Sequence, residues 1–139
     1  MVRLGFVVSE FNSEITGEME KVALAYAKEL GAEVVRTIHV PGAFDMPLAV
    51  DLLLKSWGID AVVTLGCVMQ GETRHDELIA HALASSLHRL SLKHSKPVAL
   101  GVMGPGINEK QARARIKDYA KRAVDAAIKL HTRLVRWPG

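Results

Sequence analysis

Short apolar runs alternate with longer segments of helical spacing along this chain, and this alternation constrains the fold more than any other feature. Four runs predict strands, at residues 3–8, 33–40, 60–66 and 97–103. Helical spacing follows each run, over residues 16–30, 46–57 and 75–94 and from residue 108 towards 136, with a break allowed near Tyr119. The alternation predicts an α/β three-layer sandwich, in which a four-stranded parallel sheet carries helices on both faces.

Turn-forming residues mark the ends of these elements. Gly31 and Gly58 stand where the first two helices are expected to end, and the Gly-Pro-Gly of residues 104–106 is expected to stop the fourth strand. Asn108 followed by Gln111 forms a capping-box pair, which predicts that the last helical region begins at this point.

Length and composition fit one ordinary globular domain, residues 1–139. The chain has 139 residues, of which 49% are hydrophobic and 24% are charged. No apolar run is long enough to span a membrane, and no room for a signal peptide precedes the first predicted strand, so we expect a soluble, cytoplasmic protein without membrane partners.

The net charge of +3 is too small to argue for nucleic acid, although it suits small anionic substrates. The single cysteine, Cys67, is expected to be a buried structural thiol.

Polar and glycine-rich segments follow all four predicted strands. They cover residues 9–13, 41–45, 66–75 and 104–108. Because the carboxyl ends of parallel strands share one edge of the sheet, these segments are expected to meet at that edge, where α/β proteins bind their ligands.

The third of these segments carries the most chemistry. It contains Gly71, Glu72, Thr73 and His75, and it leads directly into a helical pattern. Backbone N–H groups at a helix N-terminus favour an anion, and His75 adds a titratable imidazole. The combination suggests an enzyme that transfers protons on a phosphorylated substrate. Taken alone, His75 is explained equally well as a surface histidine near a helix cap.

Three other features each admit two interpretations. Phe11 is either a stacking platform for a planar ring or a loop side chain that covers the core. Asn12 either holds its turn or contacts a ligand. Between Arg113 and Arg122 the basic residues should form a mostly solvated face, from which one arginine can anchor a phosphate.

The histidines of the third helical segment do not form a metal-binding pattern. His75, His81, His88 and His94 follow one another at intervals of six, seven and six residues. Successive pairs therefore do not share the helix face that a metal site needs. We predict no metal site.

Four motifs stand in order along the chain. They are EFN at 10–12, VPGAFDMPLAV at 40–50, LGCVMQGETRHDE at 65–77, and PVALGV at 97–102 followed by QARAR at 111–115. With these motifs the chain resembles the 6,7-dimethyl-8-ribityllumazine synthase family, in particular its archaeal type, over nearly its whole length. The resemblance implies a flavodoxin-like fold.

The resemblance also implies the penultimate step of riboflavin biosynthesis. In this family 5-amino-6-(D-ribitylamino)uracil condenses with 3,4-dihydroxy-2-butanone 4-phosphate to give 6,7-dimethyl-8-ribityllumazine, phosphate and water. The reaction passes through an imine, loss of phosphate and ring closure, and the resemblance implies no metal or organic cofactor. Because the amine and the ketone are already reactive, proximity of the two bound substrates should supply most of the acceleration.

On the pyrimidine side, the resemblance implies an aromatic ring that stacks on the pyrimidine, a stretch that holds the ribityl chain, a backbone run at the uracil edge and one further wall. Phe11, with Asn12 beside it, matches the stacking residue, and Ala43, Phe44 and Asp45 match the stretch that holds the ribityl chain. Cys67, Val68 and Met69 match the backbone run at the uracil edge, and Leu100 matches the further wall. Two of them depart from the bacterial pattern. Asp45 stands where many bacterial members carry glutamate, and Leu100 stands where they usually carry phenylalanine.

On the phosphate side, the resemblance implies a binding turn, a proton-transfer residue and a cationic anchor. Glu72 and Thr73 match the turn, in which the glutamate acts through its N–H group. His75 matches the proton-transfer residue and Arg115 the phosphate-binding arginine, while Lys121 corresponds to a family lysine near the phosphate.

The resemblance further implies a homo-oligomer whose active site lies between neighbouring subunits of a pentamer. One chain then supplies Phe11, Asp45 and His75, and the next supplies Leu100 and Arg115. Some members stop at the pentamer, and others close twelve pentamers into a 60-subunit icosahedral shell. The stretch from Arg115 to Lys121 carries no insertion of the kind linked with isolated pentamers, which favours the shell. A functional link to riboflavin synthase is also implied.

Two rival functions remain compatible with the fold. One is a flavodoxin-like flavin carrier, which would hold a flavin phosphate in a hydroxyl-rich loop after the first strand. Residues 9–12 offer one hydroxyl beside a carboxylate, which argues against it. The other is a non-catalytic shell protein that kept the assembly and lost the site, and the joint presence of Phe11, Thr73, His75 and Arg115 argues against that interpretation.

Overall fold

The computed structural model describes residues 1–71 and 73–138. Strands and helices alternate along the chain as the sequence predicts. The elements are β1 (Arg3–Ser9), α1 (Ser13–Glu29), β2 (Glu33–Val40), a 3-10 turn (Ala43–Asp45), α2 (Met46–Lys55), β3 (Ala61–Met69), α3 (His75–His94), β4 (Val98–Ile107), α4 (Glu109–Ala114) and α5 (Ile116–Val135).

The four strands form one parallel sheet in the order β2-β1-β3-β4. From β1 the chain first goes to β2 at one edge of the sheet. It then crosses back to β3, on the other side of β1, and continues outwards to β4. The point where this direction reverses lies between β1 and β3, which is where a flavodoxin-like sheet opens a crevice at its carboxyl edge. The predicted three-layer, flavodoxin-like fold is confirmed.

Each face of the sheet carries its own apolar core. Phe6 and Met103 belong to the core under α1 and α5, whereas Val7 and Val102 belong to the core under α2 and α3. Neighbouring residues of a strand point to opposite faces, so a strand covered on both sides must be apolar throughout. All of β3 from residue 61 to residue 68 is buried, which explains its apolar run. The one polar side chain within it, Thr64, donates its hydroxyl to the Ala99 carbonyl at 2.8 Å.

Two strands continue past their predicted ends. β3 runs to Met69 instead of stopping at residue 66, and β4 runs through the Gly-Pro-Gly segment to Ile107. The pairing between them persists to Met69 and Ile107, where the Gln70 N–H group donates to the Ile107 carbonyl at 2.8 Å. Gly104 adopts φ +105°, and a Cβ there would collide with the Val68 carbonyl oxygen. The predicted stop at residues 104–106 was therefore wrong, because glycine lets the backbone bend while the strands stay paired.

Helix boundaries also differ at three places. α1 begins at Ser13, three residues before the predicted start, because the Asn12 carbonyl accepts N–H groups from the first turn at 2.9 and 3.0 Å. α2 ends at Lys55 rather than at residue 57. The break in the last helical region falls at Arg115, not near Tyr119. Asn108 caps α4 by accepting the Gln111 N–H at 2.8 Å, as the capping box predicts.

A polar clasp holds the carboxyl end of α3 against α2. His94 Nε2 lies 2.7 Å from Asp51 Oδ1, and Lys55 Nζ lies 2.8 Å from Asp51 Oδ2. Hydrogen bonds from Lys55 and His94 lower the pKa of Asp51 to about 2. Lys96 adds a hydrogen bond to the Leu54 carbonyl at 2.9 Å. The clasp fixes the axis of α3, whose opposite end carries His75.

Within residues 1–71 and 73–138, no helix has both the length and the apolar character needed to cross a bilayer.

Candidate active site

A cleft of about 580 Å³ lies at the carboxyl edge of the sheet, beside the switch point between β1 and β3. Its volume falls within the usual range for small-molecule sites. Three of the four predicted segments reach it. Its lining consists of Phe11, Asn12, Gly42, Ala43, Phe44, Cys67, Val68, Met69, Gln70, Gly71, Thr73, His75, Asp76 and Ile79.

Phe11 stands on the rim of the cleft with 73% of its surface exposed. Its backbone N–H donates to the Pro41 carbonyl at 3.0 Å, which ties the turn after β1 to the end of β2. Asn12 follows in the left-handed conformation, with φ 63° and ψ 45°. Its side-chain Nδ2 donates to the Cys67 carbonyl at 2.9 Å. The ring is therefore not a cover for the core but an open apolar surface on a tied backbone.

The end of β3 forms the floor of the cleft. β1 pairs with β3 only as far as Leu65, so Cys67, Val68 and Met69 project beyond the last paired residue of β1. On that side the Cys67 carbonyl accepts the Asn12 amide, and β1 offers no backbone partner to Met69. Burial raises the pKa of the Cys67 thiol to about 11, which keeps it protonated at neutral pH. Cys67 is thus a buried structural thiol, as the sequence predicts.

The turn after β2 contributes one wall. Ala43 is buried and Phe44 is exposed, and both line the cleft. Asp45 is predicted to hold the ribityl chain, but its carboxylate accepts the Gly42 N–H at 3.0 Å and lines the neighbouring groove between α2 and α3. Phe44 lines both spaces. Asp45 therefore lies next to the cleft rather than in its lining.

The opposite wall is the turn that leads into α3. His75 is the first residue of α3, and its side chain is exposed and lines the cleft. The His75 N–H donates to the Thr73 hydroxyl oxygen at 3.3 Å, so Thr73 tightens the turn that presents the imidazole. Glu72, the other residue predicted for the phosphate turn, lies outside the described residues.

Asp76 also lines the cleft, although the sequence analysis assigned it no role. It is 6% exposed, and its Oδ2 accepts the Gly106 N–H at 2.9 Å. This bond holds the end of β4 against the first turn of α3. A sequence signal was available, because Asp76, Ile79, Leu83 and Leu87 follow one another at the spacing of a buried helix stripe. A carboxylate on the buried stripe of a helix needs a hydrogen-bond partner, so its position in the sequence indicates a buried polar contact.

Three predicted site residues do not reach this cleft. Leu100 is half-exposed in a groove between α3 and α5, with Leu130 and Leu134 as neighbours. Arg115 is exposed at the junction of α4 and α5. Lys121 lies on the outer face of α5, where its Nζ is 5.4 Å from the centre of the Tyr26 ring. All three residues lie at the surface of the subunit, and none of them lines the cleft of its own chain.

The described part of the chain brings no three histidine, cysteine, aspartate or glutamate side chains together in a group that could hold a metal ion. The cleft combines an exposed ring, the end of β3 beyond its pairing with β1, and an imidazole beside a helix N-terminus. Such a cleft suits a planar heterocycle with hydrogen-bonding edges and an anionic group near His75.

A family model described as 6,7-dimethyl-8-ribityllumazine synthase matches residues 1–134 of the chain. The chain belongs to this family. A lumazine synthase relative from Methanocaldococcus jannaschii is 55% identical over 134 residues, which cover 96% of this chain and 94% of the relative. Relatives with the same name from Methanococcus vannielii and Methanoculleus marisnigri are 54% and 55% identical, cover 96% of this chain, and are themselves covered to 95% and 98%.

Membership in the lumazine synthase family confirms the resemblance that the four motifs indicate, including its archaeal character. Neither a flavin carrier nor a non-catalytic shell protein is favoured by these matches. The structure brings together the residues predicted for the first half of the lumazine synthase site, apart from Asp45 at the rim and the undescribed Glu72.

Proposed function

We propose that this chain condenses 5-amino-6-(D-ribitylamino)uracil with 3,4-dihydroxy-2-butanone 4-phosphate to 6,7-dimethyl-8-ribityllumazine, with release of phosphate and water. The observation that supports the proposal is the match to the family model over residues 1–134. In addition, Phe11, Thr73 and His75 line one cleft. This is the penultimate step of riboflavin biosynthesis. It links the protein functionally to riboflavin synthase, which consumes the product. The cytoplasmic location stays a prediction.

In this proposal the pyrimidine stacks on Phe11 and lies against the backbone of Cys67, Val68 and Met69. Its ribityl chain extends past Ala43 and Phe44 towards Asp45. The strand edge can read the donor and acceptor pattern of the uracil because β1 no longer pairs with it there. The identities of the β3 side chains matter less than their backbone, which explains how an inert thiol can stand in an active cleft.

The phosphate of the second substrate lies at the turn formed by Glu72 and Thr73, near the N-terminus of α3. The positive end of the helix dipole favours an anion at this place. His75 then transfers protons as the imine forms, phosphate leaves and the ring closes. Arg115 anchors the phosphate from the other side, and Lys121 adds positive charge nearby. Leu100 closes the pyrimidine pocket.

The direct test is to mix the purified protein with both substrates and follow the absorbance and fluorescence of the lumazine product. Formation of the product together with one inorganic phosphate per turnover supports the proposal. A folded protein that releases no phosphate and forms no product overturns it.

Arg115→Ala should raise the KM for the butanone phosphate roughly 10- to 100-fold, because a guanidinium paired with phosphate contributes about 1.5–3 kcal/mol. The KM for the pyrimidine should change far less. Steady-state kinetics with each substrate varied in turn measure the difference. Arg122→Ala is the matched control, since Arg122 is exposed and, among residues 1–71 and 73–138, pairs only with Asp118 one turn away on α5. Equal effects of Arg115→Ala on both substrates would contradict a phosphate role.

The active unit is at least a pentamer in this proposal, and it can close further into a shell of 60 subunits. Support comes from the placement of Leu100, Arg115 and Lys121, none of which lines the cleft of its own chain. An interface that joins one face of a subunit to a different face of the next repeats until a ring closes. Each site then takes Phe11 and His75 from one chain and Arg115 from its neighbour.

Mixed assemblies provide the test of a shared site. With the butanone phosphate far below the KM of Arg115→Ala, subunits with His75→Ala and subunits with Arg115→Ala should each be nearly inactive as pure assemblies. They should regain activity when dissociated and reassembled together. Some interfaces then combine an intact His75 with an intact Arg115. Activity in the mixture, compared with reassembled pure variants, measures the effect. An active monomer by light scattering would contradict the proposal, as would demonstrably mixed assemblies without regained activity.

A further inference from the structure

We propose that Asn12 is a positioning residue, which acts on the pyrimidine through Phe11 and not through a contact of its own amide. This inference rests on the proposed function, because it concerns how the same cleft receives its planar substrate. The sequence leaves two roles open for Asn12, and the resemblance to the family places it among the substrate-binding residues. The geometry points to the holding role.

The first observation is what the amide already binds. Asn12 Nδ2 donates to the Cys67 carbonyl at 2.9 Å, across 55 residues of sequence. That carbonyl lies two residues beyond Leu65, the last β3 residue paired with β1. The side chain of Asn12 therefore supplies a donor at a place where the backbone of β1 has ended. An amide used in this way has one N–H left, and the Cys67 carbonyl is occupied before any ligand arrives.

The second observation is the backbone conformation. Asn12 has a left-handed φ of 63°, which side chains other than asparagine, aspartate and glycine rarely adopt. In this conformation its carbonyl accepts the N–H groups of Ile15 and Thr16 at 2.9 and 3.0 Å and starts α1. One residue thus turns the chain out of β1, begins a helix and ties the turn to β3.

The third observation is the residue that this arrangement presents. Phe11 is 73% exposed, so packing against the core cannot be what fixes its ring. Its backbone is fixed on one side by the bond to Pro41 and on the other by Asn12. An apolar ring held open in advance binds a planar ligand without the entropic cost of ordering its turn. Asn12 is the part of this clamp that a side-chain substitution can remove.

The test combines Asn12→Gly with Phe11→Ala. Glycine keeps the left-handed backbone and removes only the amide. We expect Asn12→Gly to raise the dissociation constant of the assembled protein for 5-amino-6-(D-ribitylamino)uracil about three- to tenfold, the usual range for one hydrogen bond. It should leave the binding of inorganic phosphate unchanged. In the Phe11→Ala background the same substitution should have no further effect, because the ring through which Asn12 acts is gone.

A second readout does not depend on any ligand. Amide hydrogen exchange at Phe11 should be about tenfold or more faster in Asn12→Gly, since the turn loses its tie to β3. Ser95→Gly is the matched control. Ser95 is the other described residue with a left-handed backbone apart from glycine, with φ 53°, and it lies at the opposite edge of the sheet. Ser95→Gly should leave both pyrimidine affinity and Phe11 exchange unchanged.

If Asn12→Gly raised the dissociation constant for the pyrimidine by the same factor in the Phe11→Ala background as in the wild type, Asn12 would contact the substrate itself. That result would overturn the inference. Unchanged exchange at Phe11 would overturn it as well. A wild-type protein that fails to bind the pyrimidine would instead defeat the proposed function, and the exchange rates would still decide whether Asn12 holds the turn.

Discussion

His75→Ala should lower kcat about a hundredfold or more while the protein remains folded and assembled. A positioned general acid or base typically contributes about 10²–10⁴-fold, and removing the imidazole removes that contribution. Residual activity should remain, because bringing the two reactive substrates together supplies most of the acceleration. His75 is exposed at the first position of α3, so the substitution leaves the apolar cores untouched.

The measurement is steady-state formation of the lumazine with both substrates saturating, checked by circular dichroism and light scattering. His81→Ala is the matched control, because His81 is exposed on the same helix and does not line the cleft. It should retain wild-type kcat. If folded His75→Ala turned over at the wild-type rate, His75 would have no part in proton transfer.

Gly101→Ala should destabilise the subunit by about 3 kcal/mol or more, a large share of the roughly 5–15 kcal/mol by which ordinary domains are stable. Gly101 lies in the buried middle of β4, paired with Leu65 of β3. An added Cβ would collide with the Thr64 carbonyl oxygen and come within 2.9 Å of the Ala123 Cβ of α5. Backbone stands on one side and a packed helix on the other, so neither neighbour can yield without opening the sheet.

Chemical denaturation and the yield of soluble protein measure this effect. Gly17→Ala provides the contrast, because Gly17 lies in α1 and a Cβ there meets nothing within 4 Å. That substitution should stabilise the protein by about 0.5–1 kcal/mol through helix propensity. A Gly101→Ala variant as stable as the wild type would mean that β3 and β4 separate more easily than their packing indicates.

Most of the fold follows from the sequence because its central strands are apolar on both faces, its outer strand β2 is rich in β-branched residues, and its helices are apolar on one face. These patterns place β2 and α3 at their observed bounds. The ends of β3 and β4 could not be placed in this way. Gly104 and Gly106 signal a turn in any local pattern, and only the pairing of Met69 with Ile107 shows that the strands continue.

The candidate site divides similarly. Short motifs after strands predict which loops meet, because parallel strands send their carboxyl ends to one edge. They do not say what each side chain already binds. Asp45 bonds to Gly42, Asn12 bonds to Cys67, and Asp76 bonds to Gly106. Each of these bonds joins groups whose relative placement only the folded chain fixes.

The Gly-Pro-Gly ending of β4 limits how a second chain can approach the sheet. β4 is an outer strand, and an outer strand normally offers a row of N–H and C=O groups on which a foreign strand can grow. Pro105 has no N–H to offer, and Gly104 and Gly106 bend the backbone away from an extended line with φ of +105° and +74°. A second chain therefore cannot extend the sheet along residues 104–106. At this end of β4 the native subunit resists templated aggregation.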